Sequence, residues 1–148
     1  MNRLLQAVAG MAFAAVATLP ATVLAADPTD VIDYRQHIMK TMGEQAAAMA
    51  MTLQGKAPAE NFTLHVEALA SAASTALKAF EPKVQGGEAK PEVWAKWDDF
   101  SKRMKELVAN TADLAKTAQA GGAAAAAPKL QAALTCKGCH DIYREQKK

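Results

Sequence analysis

The stretch Cys136-Lys137-Gly138-Cys139-His140 near the C-terminus constrains the fold more than any other part of this sequence. On a helix, two thiols three residues apart lie on one face, so both can reach the same flat ring, and His140 follows directly. The pattern Cys-x-x-Cys-His is typical of covalent attachment of a c-type haem, with the imidazole as the proximal iron ligand. The sequence therefore predicts one haem c, attached through Cys136 and Cys139, with His140 bound to its iron.

A zinc site, a redox dithiol and a structural disulfide are the alternatives for the same two cysteines. Zinc normally takes four Cys or His ligands, but this chain has two cysteines, and His37 and His65 lack the spacing of a zinc finger. A thioredoxin-like dithiol follows a strand in a βαβ unit, and no strand pattern precedes Cys136. The setting favours haem attachment and leaves a disulfide or a dithiol as the alternative.

The first 25 residues have the pattern of a secretory signal peptide. Arg3 supplies a positive start, residues 4–19 form an apolar run, and Val23-Leu24-Ala25 offers a small-residue cleavage site. The apolar run is too short to span a bilayer comfortably, and we expect no membrane span after it. We therefore expect residues 1–25 to be removed, residues 26–148 to form one domain, and the protein to reach the periplasm, where thiols can be used for haem attachment.

Composition and periodicity predict an all-α fold. Without Arg3, 16 basic side chains face 15 acidic ones, and this balance lacks the basic excess of a nucleic-acid binder. Apolar residues recur at alternating spacings of three and four in four segments, which are predicted as helices. These helices are expected over about 28–55, 58–80 and 91–119, and from 124 or 128 to about 146. Short connections predict an antiparallel up-down-up-down four-helix bundle with covalently bound haem c.

Three stretches together resemble the class II c-type cytochromes, the cytochrome c-prime family. The haem motif lies close to the C-terminus and continues as Asp141-Ile142-Tyr143-Arg144, Tyr34-Arg35-Gln36 lies on the first helix, and Pro91-Glu92-Val93-Trp94 opens the third. Class I cytochromes c place the haem motif near the N-terminus instead. The resemblance covers the whole mature chain and implies a haem held between the helices of the bundle.

The resemblance directs attention to Met39 for the sixth iron position. High-spin members of the family have an apolar residue there that covers an open site, whereas a Met at this place is similar to the low-spin cytochrome c-556 branch, in which it is the sixth ligand. His/Met is one of the usual axial ligand sets of haem. Spacing alone leaves Met42 and Met49 open as ligands, because they share the stripe with Met39, and His37 and His65 are weaker candidates.

Three polar residues are implied to hold or tune the haem. Arg35 and Gln36 are expected, by the resemblance, to hydrogen-bond its propionates, and a buried Arg on the interior stripe is otherwise hard to explain without an anion. Arg144 lies one turn after His140, where it is either near the imidazole or solvated at the helix end. Trp94 and Trp97 are expected to pack either on the porphyrin or in the helix seam.

These residues predict a periplasmic single-electron carrier with a low-spin, His/Met-ligated haem. The alternative is a high-spin cytochrome c-prime that binds nitric oxide or carbon monoxide at an open sixth site. An enzyme is not expected, because a peroxidase needs a distal His and Arg, and His37 with Arg35 is not clearly placed for this. We expect transient contacts with periplasmic redox proteins and no nucleic-acid partner, and a homodimer through the first two helices is compatible with the small residues there.

Overall fold

Helix α1 spans Pro28–Leu53 and begins where the sequence predicts. The Asp27 side chain accepts a hydrogen bond of 2.7 Å from the backbone N–H of Thr29, and Pro28 lies in the first turn, where its missing N–H costs nothing. The computed structural model describes residues 27–146. The predicted signal peptide over residues 1–25 therefore lies outside the described residues.

Helices α2 (Phe62–Ala76), α3 (Glu92–Ala95) and α4 (Trp97–Ala126) follow in order. A 3₁₀ turn over Leu77–Ala79 extends α2, and Lys96, with φ −119° and ψ 45°, separates α3 from α4. The predicted third helix is thus interrupted once near its start. The stripe predicted for the second helix is buried throughout, as the spacing of its apolar residues requires: Phe62, Val66, Leu69, Ala73, Ala76 and Phe80.

The predicted boundary between the third and fourth bundle helices lies inside α4. Gly121 (φ −148°, ψ 17°) and Gly122 (φ 64°, ψ −159°) both leave the helical conformation. The backbone angles of Gly122 fall in a region that is essentially restricted to glycine. The third bundle helix therefore ends at this glycine pair, as predicted, and the fourth begins at residue 123.

The fourth bundle helix is segmented rather than continuous. A 3₁₀ turn over Ala127–Lys129 is followed by α5 (Leu130–Ala133) and then by α6 (Cys136–Tyr143), which carries the haem motif. The prediction of helix to about residue 146 is wrong, because Arg144 is extended and pairs with Ala89 in an antiparallel bridge. The backbone of the loop before α3 thus takes over the hydrogen bonding that a longer helix would have used.

The four bundle helices form the antiparallel four-helix bundle that the sequence predicts. Their shared core contains large side chains that are almost fully buried, so the apolar faces of α1, α2 and α4 meet in one layer. Within residues 27–146, no helix is both long enough and apolar enough to cross a membrane. The largest of these core side chains are Phe62, Met49, Leu114, Val66 and Val93.

Candidate haem site

A cavity of about 1040 Å³ opens between α1, α4, the loop over residues 86–89 and the chain from residue 134 to residue 144. Its volume is at the upper end of the roughly 300–1,000 Å³ that is usual for small-molecule and cofactor sites. The cavity brings together, from both ends of the sequence, every residue that the sequence analysis selected for haem binding: Arg35, Gln36, Met39, Cys136, Cys139, His140 and Arg144.

The two cysteines line the cavity as free thiols on the short helix α6. Cys136 is exposed and Cys139 is half-buried, and burial raises the pKa of the Cys139 thiol. No disulfide joins these two cysteines in the structure. Their separation by one helical turn on the wall of a large cavity suits the attachment of a single flat cofactor.

His140 is half-buried at the same wall. Burial is the main cause that lowers the pKa of His140, and the positive charge of Arg144 lowers it further. The negative charges of Glu88 and Asp141 act in the opposite direction. Both leading effects favour the neutral imidazole, which is the form that binds a metal. The side chain predicted as the proximal ligand is therefore in an electrostatic setting that suits this role.

Helix α1 lines the cavity with apolar residues, Met39 among them, and also with four polar ones: Arg35, Gln36, Lys40 and Glu44. The single interior stripe predicted for α1 divides in the structure, because Met49 is buried in the bundle core whereas Ile32 and Met39 are half-buried at the cavity. Met42 is buried and also reaches the cavity wall. Met39 is thus placed against the cofactor space, and Met49 is ordinary core.

Neither of the other two histidines lines this cavity. His37 is exposed on α1, and His65 forms a hydrogen bond of 2.8 Å with Gln45 between α1 and α2. Among the described residues that line the cavity, His140 is therefore the only histidine. A second imidazole is not available on the α1 side, which excludes a bis-histidine arrangement built from these residues.

Arg35 is buried, and its partners within the chain are backbone carbonyls and aromatic rings. Its Nη1 donates a hydrogen bond of 2.6 Å to the carbonyl of Val84, and its guanidinium lies 5.3 Å from the ring centre of Phe80 and 5.2 Å from that of Trp94. Burial lowers the pKa of Arg35. Carbonyl and aromatic partners thus account for part of its bonding capacity, and its expected contact with the haem propionates stays a prediction.

The loop whose carbonyls accept hydrogen bonds from Arg35, over residues 84–89, also closes one end of the cavity against α1. A Cβ atom at Gly87 would lie 2.8 Å from Cγ2 of Ile32 and 3.0 Å from Nε2 of Gln36. Gly87 also has a φ of 65°, which favours glycine. Gln36, which is exposed, is therefore held between this loop and the cavity mouth.

The aromatic residues of α3 and α4 pack in the bundle rather than on the cavity wall, with one exception. Trp94 donates to the carbonyl of Phe80 at 3.1 Å, and Trp97 lies 5.8 Å from Phe100, ring centre to ring centre. Neither Trp is among the cavity residues, whereas Phe100 is. Of the two roles expected for the tryptophans, packing in the helix seam is the one that the structure favours.

A polar cluster on α4 was missed by the sequence analysis. Arg103 lines the cavity, and its Nε donates to Oδ2 of Asp99 at 2.6 Å, while the hydroxyl of Tyr143 on α6 donates to the same oxygen at 2.5 Å. Asp99 and Arg103 are four residues apart, a spacing at which opposite charges on a helix are expected to pair, so this contact could have been predicted from the sequence. Their contact with Tyr143, 44 residues away from Asp99, has no local signal.

Haem fits the residues of this cavity better than a bare metal ion does. In the part of the chain that the structure describes, no three His, Cys, Asp or Glu side chains gather as a set of metal ligands. The cavity instead combines one neutral imidazole, two thiols and apolar walls with the cations Arg103 and Arg144. Such walls match a flat apolar ring, and the cations match its two carboxylates.

Comparison with known proteins agrees with this fit. A family model described as "Cytochrome C'" matches residues 30–144. Cytochrome c' of Alcaligenes xylosoxydans xylosoxydans is 33% identical over 129 residues, which are 82% of this chain and 98% of that protein. Among solved structures, a ferrous variant of cytochrome c prime from Alcaligenes xylosoxidans with bound NO is 29% identical, with a TM-score of 0.75 over 84% of this chain and 100% of that one. A carbon monoxide-bound variant from the same organism is 30% identical, with a TM-score of 0.73 over 82% and 98%.

These relatives contradict the prediction of a low-spin, His/Met-ligated electron carrier. They are named cytochrome c', and their solved structures hold nitric oxide or carbon monoxide. They give no support to the c-556 branch, which was suggested by Met39 alone. The prediction followed the resemblance at Met39 rather than the more common role of methionine, which is to fill apolar space.

Proposed function

The chain belongs to the cytochrome c' family, and we propose on this premise that it binds nitric oxide or carbon monoxide at an open sixth position of its haem c. The haem is attached covalently through Cys136 and Cys139. The observation that carries the proposal is the composition of the cavity. Its described residues include one histidine, on α6, while Met39 lines it from α1 beside both apolar and polar neighbours, Met42 and Lys40 among them.

His140 is the proximal ligand in this proposal. Its half-buried, neutral imidazole has the protonation state that ligation needs, and the charge of Arg144 helps to maintain that state. When bound, the haem supplies an iron that takes small diatomic gases. Arg144 is therefore proposed to favour the neutral form of the His140 ring, after burial.

Met39 covers the cavity on the α1 side without closing it permanently. Its side chain is half-buried, flexible and uncharged, and it packs beside the bundle core. An apolar cover excludes water and charged ligands more strongly than it excludes an uncharged gas, because burying an unpaired charge is far more costly. Met39 is thus proposed to select, by size and polarity, which ligands reach the iron.

Arg35, Gln36 and Arg144 are proposed to face the haem propionates at the cavity mouth. All three line the cavity, and a guanidinium has five N–H donors. Arg35 uses donors on the carbonyls of Val84 and Gly86, at 2.6 and 3.4 Å, and the others are available to a carboxylate. In this arrangement Arg35 joins the loop, α1 and the cofactor.

Binding, rather than catalysis, is the activity that we propose. Peroxidase chemistry needs an acid–base pair next to the iron. His37 is exposed and outside the cavity, and Arg35 is bonded to backbone carbonyls. We also propose export to the periplasm after removal of residues 1–25, a periplasmic redox protein that keeps the iron reduced, and a homodimer through α1 and α2.

The visible absorption spectrum of the purified haem protein tests this function. The reduced wild type is expected to have a high-spin spectrum that changes when carbon monoxide is added. Met39→Ala should bind the gas faster, whereas Met51→Ala, on the same helix but 48% exposed and outside the cavity, should behave as the wild type does. A low-spin wild type whose spectrum ignores carbon monoxide would sink the proposal.

A further inference from the structure

The helix that carries the haem motif is too short to orient itself. α6 has eight residues, and the residues at its two ends, Thr135 and Arg144, are non-helical. Isolated helices shorter than about 12–15 residues are marginal in water, so contacts from other elements must fix the direction of α6. Tyr143 is the buried side chain of α6.

Tyr143 contacts α4 in two ways. Its ring packs edge-on against Phe100, with 5.2 Å between ring centres, and its hydroxyl donates to Oδ2 of Asp99 at 2.5 Å. This O···O distance is typical of a charge-assisted bond to a carboxylate. Because Tyr143 lies three residues after His140, the bond fixes the same face of α6 that carries the imidazole.

Arg103 holds the carboxylate in the position that Tyr143 needs. Its Nε donates to the same Oδ2 atom at 2.6 Å. The Asp99 and Arg103 side chains are 47% and 40% exposed, and ion pairs this exposed contribute little to stability. What the pair supplies is geometry, since it directs one carboxylate oxygen toward α6.

We propose that Asp99 is a positioning residue, which through Tyr143 orients α6 against α4 and so sets the direction of the His140 imidazole toward the haem. The inference rests on the proposed role of His140 as proximal ligand. Nothing in the family comparison assigns Asp99 or Arg103 a role. The charge of Asp99 acts at the attachment helix and not at the α1 wall, where the gas is proposed to bind.

Tyr143→Phe and Asp99→Asn test the proposal in the intact haem protein. The first keeps the ring on Phe100 and removes the hydroxyl, and the second keeps the shape of the acceptor and removes its charge. Lys137→Gln is the matched control, because it breaks the exposed Lys137–Asp141 pair within α6, at 2.6 Å, without touching α4.

Two measurements separate positioning from general stability. Hydrogen exchange of the backbone amides from residue 140 to residue 144 should accelerate about tenfold in both variants, while exchange in α2 stays unchanged. The iron–histidine stretching band of the reduced protein should shift or broaden in both, and the control should match the wild type in both measurements.

An unchanged stretching band in Tyr143→Phe and Asp99→Asn would overturn the proposal, even if stability fell. Exchange that accelerates equally in α2 and α6 would also overturn it, because the network would then be only a structural contact. A wild type that does not bind carbon monoxide because its sixth position is closed would contradict the gas-binding function. It would also lack the iron–histidine band, which five-coordinate ferrous haem gives, but the hydrogen-exchange readout would remain intact. The failure of one idea is thus distinguishable from the failure of the other.

Discussion

Two of the helices that line the haem cavity, α1 and α6, are built in different ways. α1 has 26 residues, begins at a side-chain cap and buries its own residues in the bundle core, so its cavity face is supported by a regular helix. α6 has eight residues, no side-chain cap and only Tyr143 buried. The proposed gas side is therefore part of the scaffold, whereas the attachment side depends on contacts from distant parts of the chain.

The contacts that hold α6 come from two places. The backbone N–H of Lys90 donates to the carbonyl of Tyr143 at 3.0 Å, and that of Glu145 donates to the carbonyl of Glu88 at 2.9 Å. Asp99 on α4 supplies the side-chain contact. One small bundle thus supports its α1 wall through its own core and its attachment helix through the loop before α3 and through α4, so the two supports are separate.

A core substitution in the scaffold should have the largest effect on stability. Leu114 on α4 is fully buried, and its replacement by Ala is expected to reduce the free energy of unfolding by about 2–5 kcal/mol, through lost burial and the cavity left behind. Urea unfolding followed by far-ultraviolet circular dichroism measures this change. Leu64→Ala, at a site that is 61% exposed, is the matched control and should cost less than about 0.5 kcal/mol. Equal losses at the two sites would contradict the core described above.

The boundary between the third and fourth bundle helices should be the next most sensitive position for stability. Gly122 has φ 64° and ψ −159°, a conformation that costs other residues about 1–3 kcal/mol. Gly122→Ala should therefore lower the free energy of unfolding by that amount, although open space surrounds the site. The same urea experiment measures it, and an unchanged midpoint would show that the break in α4 is not required.

The scaffold was predictable from sequence because its signals are local. The spacing of Phe62, Val66 and Leu69 identifies a buried helix face, and Gly121-Gly122 identifies a helix end. The haem motif likewise lies within five residues. Each of these features depends on neighbours in the chain, so periodicity and composition suffice to find it.

The parts that sequence did not predict depend on distant partners. The end of α6 at Tyr143 follows from pairing with the loop near Ala89, and the partners of Arg35 are backbone carbonyls about 50 residues away. The role of Met39 was misjudged for a related reason. Whether a thioether binds an iron or fills space depends on where the whole bundle holds the haem, and the residue type alone does not decide this.

The titration of Tyr143 should have the smallest effect on stability, and it reports on the contact between α6 and α4. Burial, followed by the hydrogen bond to Asp99 and its negative charge, raises the pKa of Tyr143 to about 12, from an ordinary value of about 10. Since the raised pKa belongs to the folded state, its contribution to stability is complete below about pH 10 and is lost as the pH rises to about 12.

Phenolate absorbance in Tyr34→Phe checks this value, because the chain has two tyrosines and the variant leaves only Tyr143. We expect a midpoint near pH 12, and a lower midpoint when Asp99→Asn is added, since a neutral acceptor no longer opposes the phenolate. A midpoint near pH 10 with Asp99 intact would show that the contact between α6 and α4 is not made in solution.

The electron paramagnetic resonance spectrum of the oxidised wild-type haem protein tests the central claim most directly. A closed sixth position, with His140 and Met39 both bound, gives a low-spin iron, whereas an open position beneath Met39 gives a high-spin one. The account predicts a high-spin signal in the wild type that Met39→Ala leaves high-spin. A low-spin wild type that becomes high-spin only in Met39→Ala would contradict it, because Met39 would then be a ligand and the gas site would be closed.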